Sequence, residues 1–306
     1  MNTDILAQGI LHGDYRAIAR SISLIENSGY EVRKAIIKRI YGHGDATVVG
    51  ITGPPGVGKS TAIGNLAPLL AAHGKVAVLA IDPASPFSGG AILGNRIRMQ
   101  SALSKQGIYM RSTSNRLYNG GLSEYTWDIV KVLEAAGNDY IILETVGSGQ
   151  ADIDVMDIAD VTCVFLAPGL GDEIQAIKSG IMEIGDIFVI NKIDREGSYL
   201  AIKDIRESLS MSNKLETPVI GVNSLTGDHY GELVQSILKM NARNPREKYY
   251  KKLKMVVMEA IYDEYSNYVD SIEFGDNPLK EDPYTMAEEI LGKQVARPEK
   301  LKDRER

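Results

Sequence analysis

Eight consecutive residues, Gly53-Pro-Pro-Gly-Val-Gly58-Lys59-Ser60, follow the pattern G-x-x-x-x-G-K-[ST] without deviation. Glycines let backbone N–H groups turn inward onto anionic oxygens that side chains would obstruct. Lys59 can reach the β- and γ-phosphates of a nucleotide, and the Ser60 hydroxyl can ligate Mg²⁺. A helix starting at Ser60 adds the positive end of its dipole. The candidate phosphate contacts are therefore Gly53, Pro54, Pro55, Gly56, Val57, Gly58, Lys59, Ser60 and Thr61. The apolar run "TVVGIT" before them and the helical pattern after them supply the strand–loop–helix setting such a cradle needs.

A second motif reads the base. "NKID" at 191–194 ends the apolar run "DIFVI". There Asp194 can accept two hydrogen bonds, from N1–H and the exocyclic amine of guanine, whereas adenine presents a different pattern on that edge. Lys192 can lay its aliphatic stem over the purine, and Asn191 can brace the neighbouring loop. Farther on, "VNSLTG" places Ser224 and Leu225 where backbone groups suit the base oxygen. The implied nucleotide is GTP, with GDP as the product state.

Between the two motifs, Asp82 and Glu144 each close an apolar run, so both carboxylates fall at the phosphate edge, within reach of Mg²⁺ directly or through water. Gly147 would let the backbone approach the γ-phosphate. Gln150, in a Gly-Ser-Gly setting, suits two roles equally: orienting a water or touching a partner. Lys59, Asp82, Glu144 and Gln150 form the candidate catalytic set.

The elements that must position these residues are legible as alternation. "ATVVGIT", "VAVLAID", "GIYMRS", "DYIILET", "VTCVFLA", "DIFVINK" and "TPVIGVN" read as strands, separated by helical stretches such as "STAIGNLAPLLAAHG" and "SEYTWDIVKVLEAAG". Strands apolar on both faces and alternating with helices predict an α/β fold: a mainly parallel central sheet flanked by helices, with the functional residues at its carboxyl edge. Residues 1–44 read as an N-terminal helical extension, with Asp14 placed to cap its second segment. Residues 45–242 form the nucleotide domain, and 243–306 a C-terminal helical arm. In that arm Leu253, Val256, Val257, Ala260, Ile261 and Tyr265 mark one apolar helix face, while Lys248, Lys251, Lys252 and Lys254 read as a solvated one.

Composition narrows the class. The 306 residues are 44% hydrophobic and 24% charged, enough for a substantial core. With 34 basic against 40 acidic residues, the net charge of −6 argues against attachment to nucleic acid by bulk charge. The lone Cys163 excludes an internal disulfide and reads as a core thiol; four scattered histidines show no ligand spacing with it. No apolar run approaches the roughly 18 residues of a membrane span, and the N-terminus lacks the apolar core of a secretory signal. The expectation is a cytoplasmic protein without membrane attachment.

"GPPGVGKST", "DPASPFSGGAILGNRIRM", "GGLSEYTWDIVKVLEAAGNDYIILETVGSGQ" and "PGLGDEIQAIKSGIMEIGDIFVINKID" together resemble the MeaB/ArgK/MMAA family of P-loop GTPases, and "GDYRAIARSISLIEN" is similar to that family's N-terminal extension. The resemblance implies a slow, homodimeric G-protein chaperone that serves an adenosylcobalamin-dependent acyl-CoA mutase, typically methylmalonyl-CoA mutase. It would act in cofactor loading, protection or reactivation of that enzyme. An older label for such proteins is an arginine/ornithine transport kinase. By family match Ser60, Asp82, Asn95 and Glu144 correspond to the Mg²⁺ and switch positions, and Asn191, Lys192 and Asp194 to the guanine readers. The family carries Asp where this chain has Asn95, which keeps an oxygen ligand but loses a charge; weaker Mg²⁺ affinity or slower hydrolysis is expected. "STSNRLYNGG" also departs from the family, and Arg111 and Arg116 read as solvated loop arginines. Two other classes stay open: a phosphotransferase, which would need an acceptor pocket and base, and a metal-insertion GTPase, against which the sparse Cys and His argue.

Overall fold

The computed structural model describes residues 3–83, 93–115, 124–145, 157–169, 181–240 and 245–270. All seven expected strands form: β1 (Thr47–Thr52), β2 (Val76–Pro83), β3 (Tyr109–Asn115), β4 (Tyr140–Glu144), β5 (Val161–Leu166), β6 (Ile187–Asn191) and β7 (Val219–Val222). They build one sheet in the order β3-β2-β4-β1-β5-β6-β7, with every neighbouring pair parallel. Parallel strands need crossovers, which is why helices alternate with them along the chain.

Side chains on successive strand residues point to opposite faces, and each face has its own helices. On one face Val49, Ile51, Val78, Cys163 and Phe165 pack against α4 (Lys59–Leu70), α5 (Leu93–Ser104) and α9 (Tyr230–Lys239). On the other, Val48, Leu79, Ile141 and Leu143 meet α6 (Glu124–Ala135) together with α1 (Thr3–Leu11), α2 (Tyr15–Asn27) and α3 (Tyr30–Ile40). Val164, Leu166, Phe188 and Ile190 meet α8 (Ser198–Met211), after the short α7 (Ile181–Ile184). The amino-terminal helices thus share a core with the sheet through Ile10, Ile18, Ile22, Ile25, Ile36 and Ile40, all fully buried. Asp14 caps α2, accepting from the Arg16 N–H at 2.8 Å.

Cys163 is buried, and desolvation pushes its thiol far above the ordinary range, as a core residue requires. Arg111 is not a loop arginine: it lies on β3 and donates to Ser23 (3.1 Å) and Glu26 (2.8 Å) of α2. Arg116 lies outside the described residues.

The last described helix is α10 (Pro245–Asp270). The chain divides into two compact units, Met1–Glu259 and Ala260–Arg306. Within the first, three of the four arm lysines are paired, two of them largely withdrawn from solvent and Lys251 still exposed. Lys248 meets Asp160 at 2.7 Å, Lys251 meets Asp157 at 2.6 Å and Lys252 meets Asp128 at 2.8 Å. Glu259 pairs with Arg33 of α3. The spacing 248, 251, 252 puts three ammonium groups on one helix face, and the chain before β5 supplies two of the acids. Among the described residues no helix is long and apolar enough to cross a membrane.

Candidate functional site

The site assembles where β1, β2, β4, β6 and β7 end, at the carboxyl edge of the sheet. β1 lies between β4 and β5, so the loop leaving it enters the crevice where crossovers diverge to the two sides. That loop is the glycine-rich one. Gly53, Gly56 and Gly58 all take positive φ (132°, 77° and 99°), curling the backbone ahead of α4. Gly53 passes so close to β5 that an added Cβ would sit 2.0 Å from the Phe165 carbonyl oxygen.

Lys59, the first residue of α4, is buried and folds back over its own loop. Its ammonium donates to the carbonyls of Gly53 (2.5 Å) and Pro54 (2.9 Å). This holds the charge at the loop's mouth, where an anion would meet it together with the helix N-terminus. Beside it the Ser60 hydroxyl donates to Glu144 Oε1 at 2.6 Å. Glu144 closes β4 and is 2% exposed, and its backbone pairs with Ile51 on one side and Ala80 on the other. A buried carboxylate beside a hydroxyl is a hard-oxygen donor pair of the kind Mg²⁺ prefers. Asp82 ends β2 at the same edge, two residues beyond Ala80. Asn95 falls in the first turn of α5. Gly147 and Gln150 lie outside the described residues.

The base motif is bolted to the phosphate loop. Asn191, 1% exposed at the end of β6, donates through Nδ2 to the Val57 carbonyl at 2.7 Å. Lys192, in the left-handed region at φ 60°, donates its ammonium to the Gly56 carbonyl at 2.8 Å. Its stem therefore runs from the base motif to the loop. Asp194 is exposed, its carboxylate open to a ligand. Ser224 follows β7 and is buried, whereas Leu225 stands in solvent. Both backbone N–H groups expected to face the base are engaged within the protein. The Ser224 N–H goes to Asn191 Oδ1 and the Leu225 N–H to Asn223 Oδ1, each at 3.0 Å.

Two residues that no local pattern marks complete this end. The Ser224 hydroxyl lies 2.7 Å from the Tyr230 hydroxyl, and Asn65 of α4 donates to the Ser224 carbonyl at 2.8 Å. Tyr230 opens α9 and Asn65 sits mid-helix, so from sequence both pass as ordinary helix positions. Burial holds the Tyr230 phenol above its usual pKa despite the hydrogen bond with Ser224, so its proton stays available to donate.

The chain is similar to known proteins in sequence and in fold. The profile of the family described as Methylmalonyl Co-A mutase-associated GTPase MeaB matches residues 18–266. A candidate GTPase of Pyrococcus horikoshii is 38% identical over 318 residues, covering 96% of this chain and 99% of its own. The mitochondrial methylmalonic aciduria type A homolog of Caenorhabditis briggsae is 38% identical over 207 residues, covering 62% of this chain and 50% of its own. A crystal structure of a LAO/AO transport system kinase has the same fold, with a TM-score of 0.66 at 20% identity over 96% of this chain and 99% of that one. The phosphate loop, the base motif anchored to it and a family profile that spans most of the chain lead to one conclusion: this protein belongs to the MeaB family of methylmalonyl Co-A mutase-associated GTPases.

Proposed function

We propose that the protein binds and hydrolyses GTP and uses the nucleotide state to assist an adenosylcobalamin-dependent acyl-CoA mutase, typically methylmalonyl-CoA mutase, in loading, protecting or reactivating its cofactor. The observation that supports the nucleotide reading is the bond from Asn191 to Val57, which ties the strand end before the exposed Asp194 to the phosphate loop. The choice of guanine rests on the carboxylate of Asp194, which can accept from N1–H and the exocyclic amine. The family description and the name of the Caenorhabditis relative support the mutase as client.

In this reading Lys59 exchanges its bonds to the Gly53 and Pro54 carbonyls for the β- and γ-phosphate oxygens. Ser60 and Glu144, with Asp82 and Asn95, would hold Mg²⁺, which when bound neutralises charge on the β- and γ-phosphates. Ser60 then gives up its bond to Glu144 on nucleotide binding, so the end of β4 senses occupancy. Gln150 orients the attacking water or meets the partner. A homodimer joined through α10, acting in the cytoplasm with no membrane or nucleic-acid attachment, completes the proposal.

The test is a pull-down from native cytosol with the protein held in a non-hydrolysable GTP analogue or in GDP. Enrichment of a B12-dependent mutase in one state is expected. Equal recovery in both states, or none in either, would remove the switch-and-client reading. GTP-dependent phosphorylation of arginine or ornithine would replace it with phosphotransfer.

A further inference from the structure

The purine end of the site is held by a hydrogen-bond chain that runs past the recognisable motifs. Asn191 spends Nδ2 on the Val57 carbonyl, which turns Oδ1 toward Ser224 Oγ (2.8 Å), the Ser224 N–H and the Lys192 N–H (2.8 Å). A carbonyl oxygen only accepts, so the single proton of the Ser224 hydroxyl goes to Asn191. The 2.7 Å contact between Ser224 and Tyr230 must then carry the tyrosine's proton, donated to Ser224 Oγ. The Tyr230 oxygen has only lone pairs left. Asn65 gives an amide proton to the Ser224 carbonyl and so holds the same turn from α4. Proton counting therefore orders the chain as Tyr230 to Ser224 to Asn191 to Val57, with Asn65 bonded to the backbone of its middle member.

Asn65, which holds the Ser224 carbonyl, and Val57, which holds Asn191, both belong to the phosphate-binding unit, one on α4 and one in the loop before it. The turn that carries Ser224 is thus closed into a ring with the phosphate cradle. Tyr230 is 1% exposed, so water does not compete for these bonds.

We propose that Tyr230 and Asn65 are positioning residues for the purine, fixing the base-reading turn relative to the phosphate loop by holding Ser224 and, through it, Asn191. The inference rests on the guanine-nucleotide reading given above. Removing the phenolic oxygen takes from the buried Ser224 Oγ the proton it accepts, leaving that residue held only through Asn191 and Asn65. The turn then loses its fixed distance from the cradle, while Lys59 and the helix N-terminus keep theirs. Base contacts weaken and phosphate contacts do not.

The test is fluorescence titration of the full chain with N-methylanthraniloyl-GDP, and competition by unlabelled GDP and ADP, for the wild type, Tyr230→Phe, Asn65→Ala and the double variant. Each single change is expected to weaken GDP about tenfold while leaving the weaker ADP affinity unaltered, because one buried neutral hydrogen bond is at stake. The double variant should be far less than additive, since both residues act through Ser224. Equal losses for GDP and ADP, an unchanged GDP affinity, or additive singles would each overturn the assignment. Asn65 is half-buried on an α4 surface, so its variant carries the test if Tyr230→Phe does not fold. A wild type with no preference for GDP over ADP would instead strike down the guanine reading, before any variant is measured.

Discussion

Single residues carry this site through what their neighbours allow. Gly53 and Gly56 share positive φ and the same loop, yet their surroundings differ. A Cβ at Gly53 meets the Phe165 carbonyl at 2.0 Å, backbone that cannot rotate away, whereas one at Gly56 meets nothing within 4 Å. Gly56→Ala should cost about 1–2 kcal/mol, the strain of a left-handed alanine. Gly53→Ala adds a clash with β5 and should cost at least about 3 kcal/mol, roughly 6–10 °C in Tm, with loss of GDP binding. Differential scanning fluorimetry checks both, and equal shifts would show that the approach to β5 is not what demands glycine at position 53. Lys59 and Glu144 illustrate the same dependence: an ammonium and a carboxylate become site residues by being buried beside loop carbonyls and a serine hydroxyl.

Elements are fixed by pairing across sequence distance. Within the first unit, the part of α10 up to Glu259 meets its neighbours through lysines at 248, 251 and 252, and burial decides how much each contributes. The Lys248 and Asp160 side chains are 20% and 7% exposed, and the other Asp160 oxygen accepts the Val48 N–H at 2.8 Å. Lys251 and Asp157 are 45% and 48% exposed. Lys248→Ala should therefore cost about 2–3 kcal/mol, because it leaves a buried carboxylate uncompensated. Lys251→Ala should cost less than about 0.5 kcal/mol, as surface pairs do. Urea unfolding measures the difference; comparable losses would mean that α10 is held by packing rather than by the buried pair. The amino-terminal helices follow the same principle. Their isoleucines share one buried cluster with side chains of β1, β2, β4 and α6, elements far from them in the chain.

At the scale of the whole molecule, α10 leaves Leu253, Val257, Met258, Ile261 and Tyr262 exposed along one helix. If this face joins two copies, as proposed, the paired change Val257→Asp with Ile261→Asp should convert a dimer to a monomer without lowering GDP affinity. Light scattering across a concentration series gives the answer, and a wild type that stays monomeric throughout would remove the dimer. The strands, the phosphate loop and the base motif were all legible beforehand, because each is written in consecutive residues. Glycines mark the loop, apolar runs the strands, and Asn-Lys-Ile-Asp the turn after β6. The pairing of Lys248, Lys251 and Lys252 was not legible, since helical spacing shows a charged face but not whether acids stand opposite it. Nor were Tyr230 and Asn65, which carry no local signature. Local spacing by itself thus determined the class of fold and the glycine-rich loop that places the chain in its family, because backbone conformation and the period of burial act over a few residues. Only the tertiary structure decided the strand order, the contact between Ser60 and Glu144 and the ring through Ser224 with Tyr230 bonded to it. Those depend on which strands become neighbours, and parallel crossovers bring together residues far apart in the chain.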